Sequence, residues 1–222
     1  MTSTRIEILC SDPAHPVFAH LRRWLSSLPE SMDARLVTRT AELGEGDFLF
    51  LIACQEIVGR ALRERFRHVL VIHESDLPAG RGWSPLVWQV LDGAREIPVT
   101  LLEAADKVDS GRIWRQLQVG LDGSELAPEI NRRVSEAKLA LIDWAIRNGD
   151  SVEPREQTGQ PTYYPRRTPA DSEIAPDTTF AEAFDLLRIA DENRYPAFLR
   201  LRGKRYRIRI DELPDGAQEP GG

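Results

Sequence analysis

The sequence predicts an α/β protein: a Rossmann-like, mostly parallel sheet with helices on both faces, followed by a small C-terminal α+β appendage. Three observations predict it. Apolar, β-rich runs alternate with segments of helical periodicity as far as residue 150. Two of those runs, Asp47 to Ala53 and Val69 to His73, are almost wholly apolar, as parallel strands covered on both faces are. Composition then shifts at Ser151 to a polar stretch holding Pro154, Pro161, Pro165, Pro169 and Pro176, before one more helix and a hairpin.

Arg5 to Cys10 reads as a short strand stopped by Ser11-Asp12-Pro13, after which Phe18, Leu21, Trp24, Leu25 and Leu28 recur at helical spacing. Ala34 to Val37 and Asp47 to Ala53 are the next strands, and Gln55 to Phe66, rich in Arg and Glu, is a helix. Val69 to His73 is a buried strand, Ser84 to Leu91 a short helix ending near Gly93, and Val99 to Leu102 a further strand. From Ser124 to Asn148 the positions Leu126, Ile130, Val134, Ala137, Leu141 and Ala145 form one apolar stripe, with Gly149 as its stop. This helix closes a first domain of residues 1–150. Residues 151–178 are expected as an extended ordered loop or a linker. Thr179-Phe180-Ala181-Glu182 is a capping box for a helix on which Phe180, Phe184 and Leu187 share a face. Ala197 to Leu201 and Tyr206 to Ile210 flank Gly203-Lys204 as a hairpin, which completes an appendage over 179–213 and leaves 214–222 as a flexible tail.

The 222 residues, 41% of them apolar, suffice for one α/β core with an appendage. The longest apolar run is far shorter than the ~20 residues of a membrane span, and Met1 to Arg5 leads into a strand without a signal-peptide stretch. The expectation is a soluble, cytoplasmic protein. Two cysteines, Cys10 and Cys54, both beside strand-like runs, suit buried free thiols and leave no ligand set for a structural zinc. A net charge of −6 and a pI of about 5.4 argue against a dedicated nucleic-acid binder. There is no Walker loop and no G-x-G-x-x-G fingerprint.

The stretch from His73 to Pro85 carries the chemistry. It sets an imidazole at the carboxyl end of a buried strand, where open α/β sheets present functional groups, and follows it with a Pro/Gly-rich loop. His73 can serve as a general acid and base, or simply hydrogen-bond its own loop. Asp109, in the turn Lys107 to Gly111, either orients that histidine or caps backbone N–H groups. Around the hairpin, Arg200, Arg202, Lys204, Arg205, Arg207 and Arg209 read as the solvent face of an amphipathic strand, with a phosphate site as the sharper alternative. Arg166 and Arg167 beside Tyr163 and Tyr164 suit contact with a nucleotide or sugar, or packing under the linker. Trp83 and Trp88 flank the loop as pocket wall or core.

Residues 71–116 resemble the folate-dependent formyltransferase family. Its signature reads N-x-H-x-S-L-L-P-x-x-R-G-x-x-P, followed by a G-x-T strand and a D-x-G turn. His73, Ser75, Leu77, Pro78, Arg81, Gly82, Pro85, Gly93, Thr100, Asp109 and Gly111 fall on that pattern. Downstream, Thr162 to Ser172 and Arg194 to Phe198 resemble the segment C-terminal to the catalytic domain in sugar-nucleotide N-formyltransferases.

The resemblance implies transfer of a formyl group from N10-formyltetrahydrofolate, without a metal, to a primary amine on a nucleotide-linked amino sugar. Methionyl-tRNA as acceptor, water as acceptor, and a noncatalytic folate-binding or partner-binding relative are the alternatives. It implies His73 as acid/base and Asp109 as its orienter. The family's oxyanion-donating asparagine is Val71 here. That role then falls to His73 with a water or backbone N–H, or to Ser75 or Asp76, unless the activity differs. The pterin would be held by main-chain groups around Gln55, Glu56 and Ile57 and along Glu103, Lys107 and Val108. Arg81, Gly82, Tyr164 and Arg167 are the substrate candidates, and a homodimer would form through the long helix or the Arg-rich hairpin.

Overall fold

The computed structural model describes residues 3–213. The expected flexible tail over 214–222 lies outside the described residues. The chain divides into two compact units, the first running through Arg166 and the second starting at Arg167.

The first unit is built on β1 (Thr4–Leu9), α1 (Val17–Ser26), β2 (Met32–Val37), β3 (Gly46–Leu51), α2 (Arg60–Arg63) and β4 (Phe66–His73). It continues through β5 (Arg81–Gly82), α3 (Pro85–Leu91), β6 (Glu96–Glu103), β7 (Ile113–Gly120), α4 (Ala127–Asn148) and β8 (Tyr163–Tyr164). Six strands form one sheet in the order β2-β1-β3-β4-β6-β7. The first four are parallel, while β6 runs antiparallel to β4 and β7 antiparallel to β6. On one sheet face Leu9, Leu49, Leu51, Val69 and Val71 pack with Val58, Leu62 and Ala104. On the other, α4 lies against β6 and β7 and against α1. No helix among the described residues is long and apolar enough to cross a membrane.

Several expectations need correction. The helix expected over Gln55 to Phe66 shrinks to Arg60–Arg63. Side chains of neighbouring loops claim the residues before it: the Gln55 N–H donates to Ser11 Oγ, and the Glu56 carboxylate accepts from the Thr40 N–H and hydroxyl. Gly59 then caps the short helix in an extended conformation, and Phe66 already belongs to β4. The edge strand β7 extends the sheet beyond the element order read from the sequence. On α4 the buried stripe holds Lys138 rather than Ala137, between Val134 and Leu141.

Within residues 151–178 several segments are ordered, as in the first of the two alternatives. Arg155 forms a bridge to Ile113, β8 pairs in parallel with β5, and a capping box at Thr168 opens a 3-10 turn over Pro169–Ser172. Extended, proline-spaced backbone keeps the N–H and carbonyl groups that such pairing needs at its non-proline positions.

The second unit contains β9 (Glu173–Ile174), α5 (Phe180–Ile189), β10 (Phe198–Leu201) and β11 (Lys204–Arg207), in a sheet ordered β11-β10-β9. The Thr179–Glu182 capping box starts α5 as expected from sequence. Ile174, Ala183, Leu187 and Ala197 form its small core. Phe180 is exposed instead of sharing that core. It occupies the first helical position, where its ring meets Phe184 with centroids 6.0 Å apart.

Candidate active site

Side chains alternate along β4, so Val69, Val71 and His73 share one sheet face. Strand register carries the row outward: His73 stands opposite Thr100 of β6, and Thr100 opposite Gln116 of β7. One step back, Val71 opposes Leu102, Leu102 opposes Ile113, and these pack with Leu77. His73 is thus the last residue of its strand, set above an apolar floor.

His73 Nε2 lies 2.8 Å from the Gly80 carbonyl oxygen. A carbonyl only accepts, so Nε2 carries the hydrogen and Nδ1 is the ring atom left to take a proton. Nδ1 faces Asp109 Oδ2 at 3.7 Å, and both side chains are more than nine-tenths buried. Asp109 Oδ2 also accepts the Gly82 N–H at 2.9 Å. The loop after β4 therefore holds both members of the pair, one through a carbonyl and the other through an amide two residues on.

The turn between β6 and β7 brings Asp109 into place. It folds back on its own strand at Gly111, where an ideal Cβ would lie 1.8 Å from the Glu103 carbonyl oxygen. Only glycine fits there. Asp109 itself takes a left-handed conformation, φ 52°, which costs a non-glycine residue about 1 kcal/mol. Gln157 offsets that strain: its Nε2 donates to the Asp109 carbonyl at 2.9 Å and the Gly111 carbonyl at 2.8 Å, while its Oε1 accepts from Arg81 Nη2 at 2.6 Å. From the other side β8 closes on the histidine loop. The Thr162 hydroxyl accepts the Gly80 N–H at 2.8 Å, and Tyr164 packs so close to Gly80 and Gly82 that neither position has room for a Cβ.

Behind the histidine, on the opposite sheet face, Glu74 pairs with Lys138 of α4, both side chains largely buried. Burial would raise the Glu74 pKa. The Lys138 ammonium, with a further contribution from His73, overrides burial and lowers it to about 2. The Gln89 amide also donates to the Glu74 and Pro85 carbonyls, which fastens α3 to this strand end.

Of the residues singled out from sequence, His73, Asp109 and Gly82 meet. Ser75 lies beside them, buried, with its hydroxyl lacking a hydrogen-bond partner among the described residues and its carbonyl accepting from Thr100 Oγ1 at 2.7 Å. Asp76 is exposed, and its carboxylate accepts from Gln116 Nε2 at 3.0 Å. Arg81 donates through Nη2 to Gln157 Oε1 at 2.6 Å and through Nη1 to the Tyr163 hydroxyl at 3.5 Å. Ile57 and Val108 are exposed apolar side chains, 87% and 62% accessible. Glu103 is tied to Arg112 and to Trp114, while Lys107 is exposed and contributes its carbonyl to the Ser110 hydroxyl.

Arg167 requires a correction. It is buried in the second unit, its Nη2 donating to Ser172 Oγ at 2.9 Å and its guanidinium resting 5.1 Å from the centroid of the Tyr195 ring. Its neighbour Arg166 is the outward one, lying over Trp83 at 4.8 Å and donating to the Gln55 side chain. Sequence reasoning missed Gln157, which sits in a polar stretch with nothing to distinguish it. It also missed Lys138, whose signal was present: a charge where the apolar stripe of a helix calls for a hydrophobe. Cys10 and Cys54 are free thiols, Cys10 buried and pushed by that burial up to about 11.

Fold and site together define an α/β protein with a buried histidine–carboxylate pair at the carboxyl end of a parallel sheet, an arrangement built for proton transfer. The chain belongs to the formyl transferase family, whose family model matches residues 10–146. It is 27% identical over 201 residues to a methionyl-tRNA formyltransferase of Thermodesulfovibrio yellowstonii, a match covering 87% of this chain and 63% of that protein. Among solved structures, a methionyl-tRNA formyltransferase from Clostridium thermocellum, 22% identical, matches with a TM-score of 0.80 over 96% of this chain and 95% of its own. A likely sugar N-formyltransferase from Mycobacterium tuberculosis, 18% identical, matches with a TM-score of 0.71 over 96% of this chain and 99% of its own.

Proposed function

We propose that this protein transfers a formyl group from N10-formyltetrahydrofolate to a primary amine carried on a nucleotide-linked amino sugar. The observation that carries this reading is the buried pair of His73 Nδ1 and Asp109 Oδ2, 3.7 Å apart, within the family signature. The amine nitrogen attacks the formyl carbon, a tetrahedral oxyanion forms, and its collapse breaks the bond to N10. His73 Nδ1 takes the proton that the attacking amine loses and delivers one to the departing N10. Asp109 faces the imidazolium formed in between and stabilises it.

Val71 lies on the apolar floor and donates nothing to the oxyanion. Ser75 is the better replacement than Asp76, because its hydroxyl is buried and uncommitted while the Asp76 carboxylate is held by Gln116. An unpaired buried hydroxyl is costly in the resting protein and gains a partner when an oxyanion develops. The folate ring would lie against Ile57 and Val108, exposed apolar side chains on the loops after β3 and β6, with main-chain groups around Gln55, Glu56, Glu103 and Lys107 fixing its edge. Arg166 over Trp83 favours an acceptor with a flat ring and a phosphate.

A second reading replaces the sugar with methionyl-tRNA, the acceptor named for the Thermodesulfovibrio relative. The net charge of −6 weighs against it. A panel decides: N10-formyltetrahydrofolate with nucleotide-linked amino sugars, with charged initiator tRNA, and with no amine. The proposal expects formylated sugar, formed far more slowly by His73→Ala. Formylation of the tRNA alone supports the second reading, folate released without amine indicates hydrolysis, and folate binding without turnover indicates a noncatalytic relative.

A further inference from the structure

Beyond the two residues that face each other across the site, the bonds around Arg81 form a closed circuit. His73 is bound to the carbonyl of Gly80, Asp109 to the amide of Gly82, and the residue between them, Arg81, sends its side chain to Gln157. Gln157 returns two hydrogen bonds to the carbonyls on either side of the turn, at Asp109 and Gly111. The circuit joins the loop after β4, the turn between β6 and β7, and the segment before β8. Sequence separations of 48 and 76 residues from Gln157 to its partners mean that no local preference holds these pieces together.

We propose that Gln157 is a positioning residue that fixes the Asp109 carboxylate opposite His73. The inference rests on the proposed formyl transfer. The turn is strained at Asp109, φ 52°, and the amide of Gln157 is the group that ties both of its flanking carbonyls. Neither His73 nor Asp109 is touched by the Gln157 side chain at a reacting atom, so Gln157 acts through them. Its carboxamide is suited to the task, because one end donates twice and the other accepts from a guanidinium. A carboxylate at this position could satisfy Arg81 but would turn lone pairs toward two carbonyl oxygens.

Gln157→Glu therefore separates the two halves of the circuit, and Gln157→Ala removes both. Formyl transfer is expected to lose about 10²-fold in kcat in each variant, the size of effect that a misplaced catalytic group produces, with KM for folate and amine within about twofold of wild type. Amide exchange at Gly82, whose N–H is bound to Asp109, is expected to quicken by about tenfold or more while Leu70 in the sheet centre keeps its protection. Unchanged kcat, a raised KM with kcat intact, or unchanged Gly82 exchange overturns the inference. Equal loss of protection at Leu70 and Gly82 in both variants also overturns it, since Gln157 would then be holding the fold. If the wild-type protein formylates no amine, the proposed function fails, and Gly82 exchange alone decides the positioning role.

Discussion

Replacing Lys138 by Met leaves the Glu74 carboxylate in a largely buried site without its counter-ion. The carboxylate itself sets the magnitude. A fall from the ordinary 4.5 to about 2, at 1.36 kcal/mol per unit, corresponds to about 3 kcal/mol of stability at neutral pH. This agrees with the ~3–5 kcal/mol lost when one partner of a buried pair is removed. Because the folded pKa is depressed, the wild-type contribution is fully present above pH 4.5 and fades as pH falls through about 2. In Lys138→Met only the attraction of His73 and His15 is left to oppose burial, so the Glu74 pKa rises and acid relieves the strain. Urea unfolding of both proteins at pH 7 and at pH 4 gives the difference directly. The expectation is a gap of about 3 kcal/mol at pH 7 that narrows at pH 4, largely closed by adding Glu74→Gln to the variant. A gap below about 1 kcal/mol, or one that widens in acid, would show that Lys138 does not hold the Glu74 charge.

Other perturbations test the site piece by piece. Gly111→Ala drives a Cβ into the Glu103 carbonyl; soluble yield and formyl transfer should both collapse, whereas Gly93→Ala, where a Cβ meets open space, should lose no more than its left-handed strain. Ser75→Ala is expected to lower kcat by about 10²-fold, and Val71→Asn added to it to recover part of the loss, as steady-state kinetics would report. That asparagine should also cost about 1–3 kcal/mol in urea unfolding, for an amide set among Leu77, Leu102 and Ile113. The Cys10 thiol, buried and raised to about 11, should resist iodoacetamide at pH 8 in the folded protein and react in urea, followed by mass spectrometry.

How far the sequence disclosed each element depended on whether its cause was local. The strands Asp47 to Ala53 and Val69 to His73, the Thr179–Glu182 capping box and the first strand of the hairpin carry their reasons within a few residues and appear at nearly the positions their patterns indicate, whereas the second hairpin strand runs over Lys204–Arg207 instead of Tyr206 to Ile210. The short α2 does not, because Ser11 and Thr40, distant in sequence, claim the loop before it. His73 and Asp109 were visible through residue types and loop length. Their separation, the uncommitted Ser75 hydroxyl and the burial of Arg167 come from packing, on which sequence is silent. Gln157 is the extreme case. Its importance lies wholly in which three groups it touches, all 46 or more residues away.

His73 and Asp109 are expected to work as one proton-transfer unit in formyl transfer. Single-turnover formylation of a nucleotide-linked amino sugar, measured for wild type, His73→Ala, Asp109→Asn and the double variant, tests it most directly. The expected result is wild-type turnover and losses of about 10²-fold or more in each single variant, with a double variant no slower than His73→Ala because the two act as a unit. Equal rates in wild type and His73→Ala, or losses that multiply in the double variant, would contradict it.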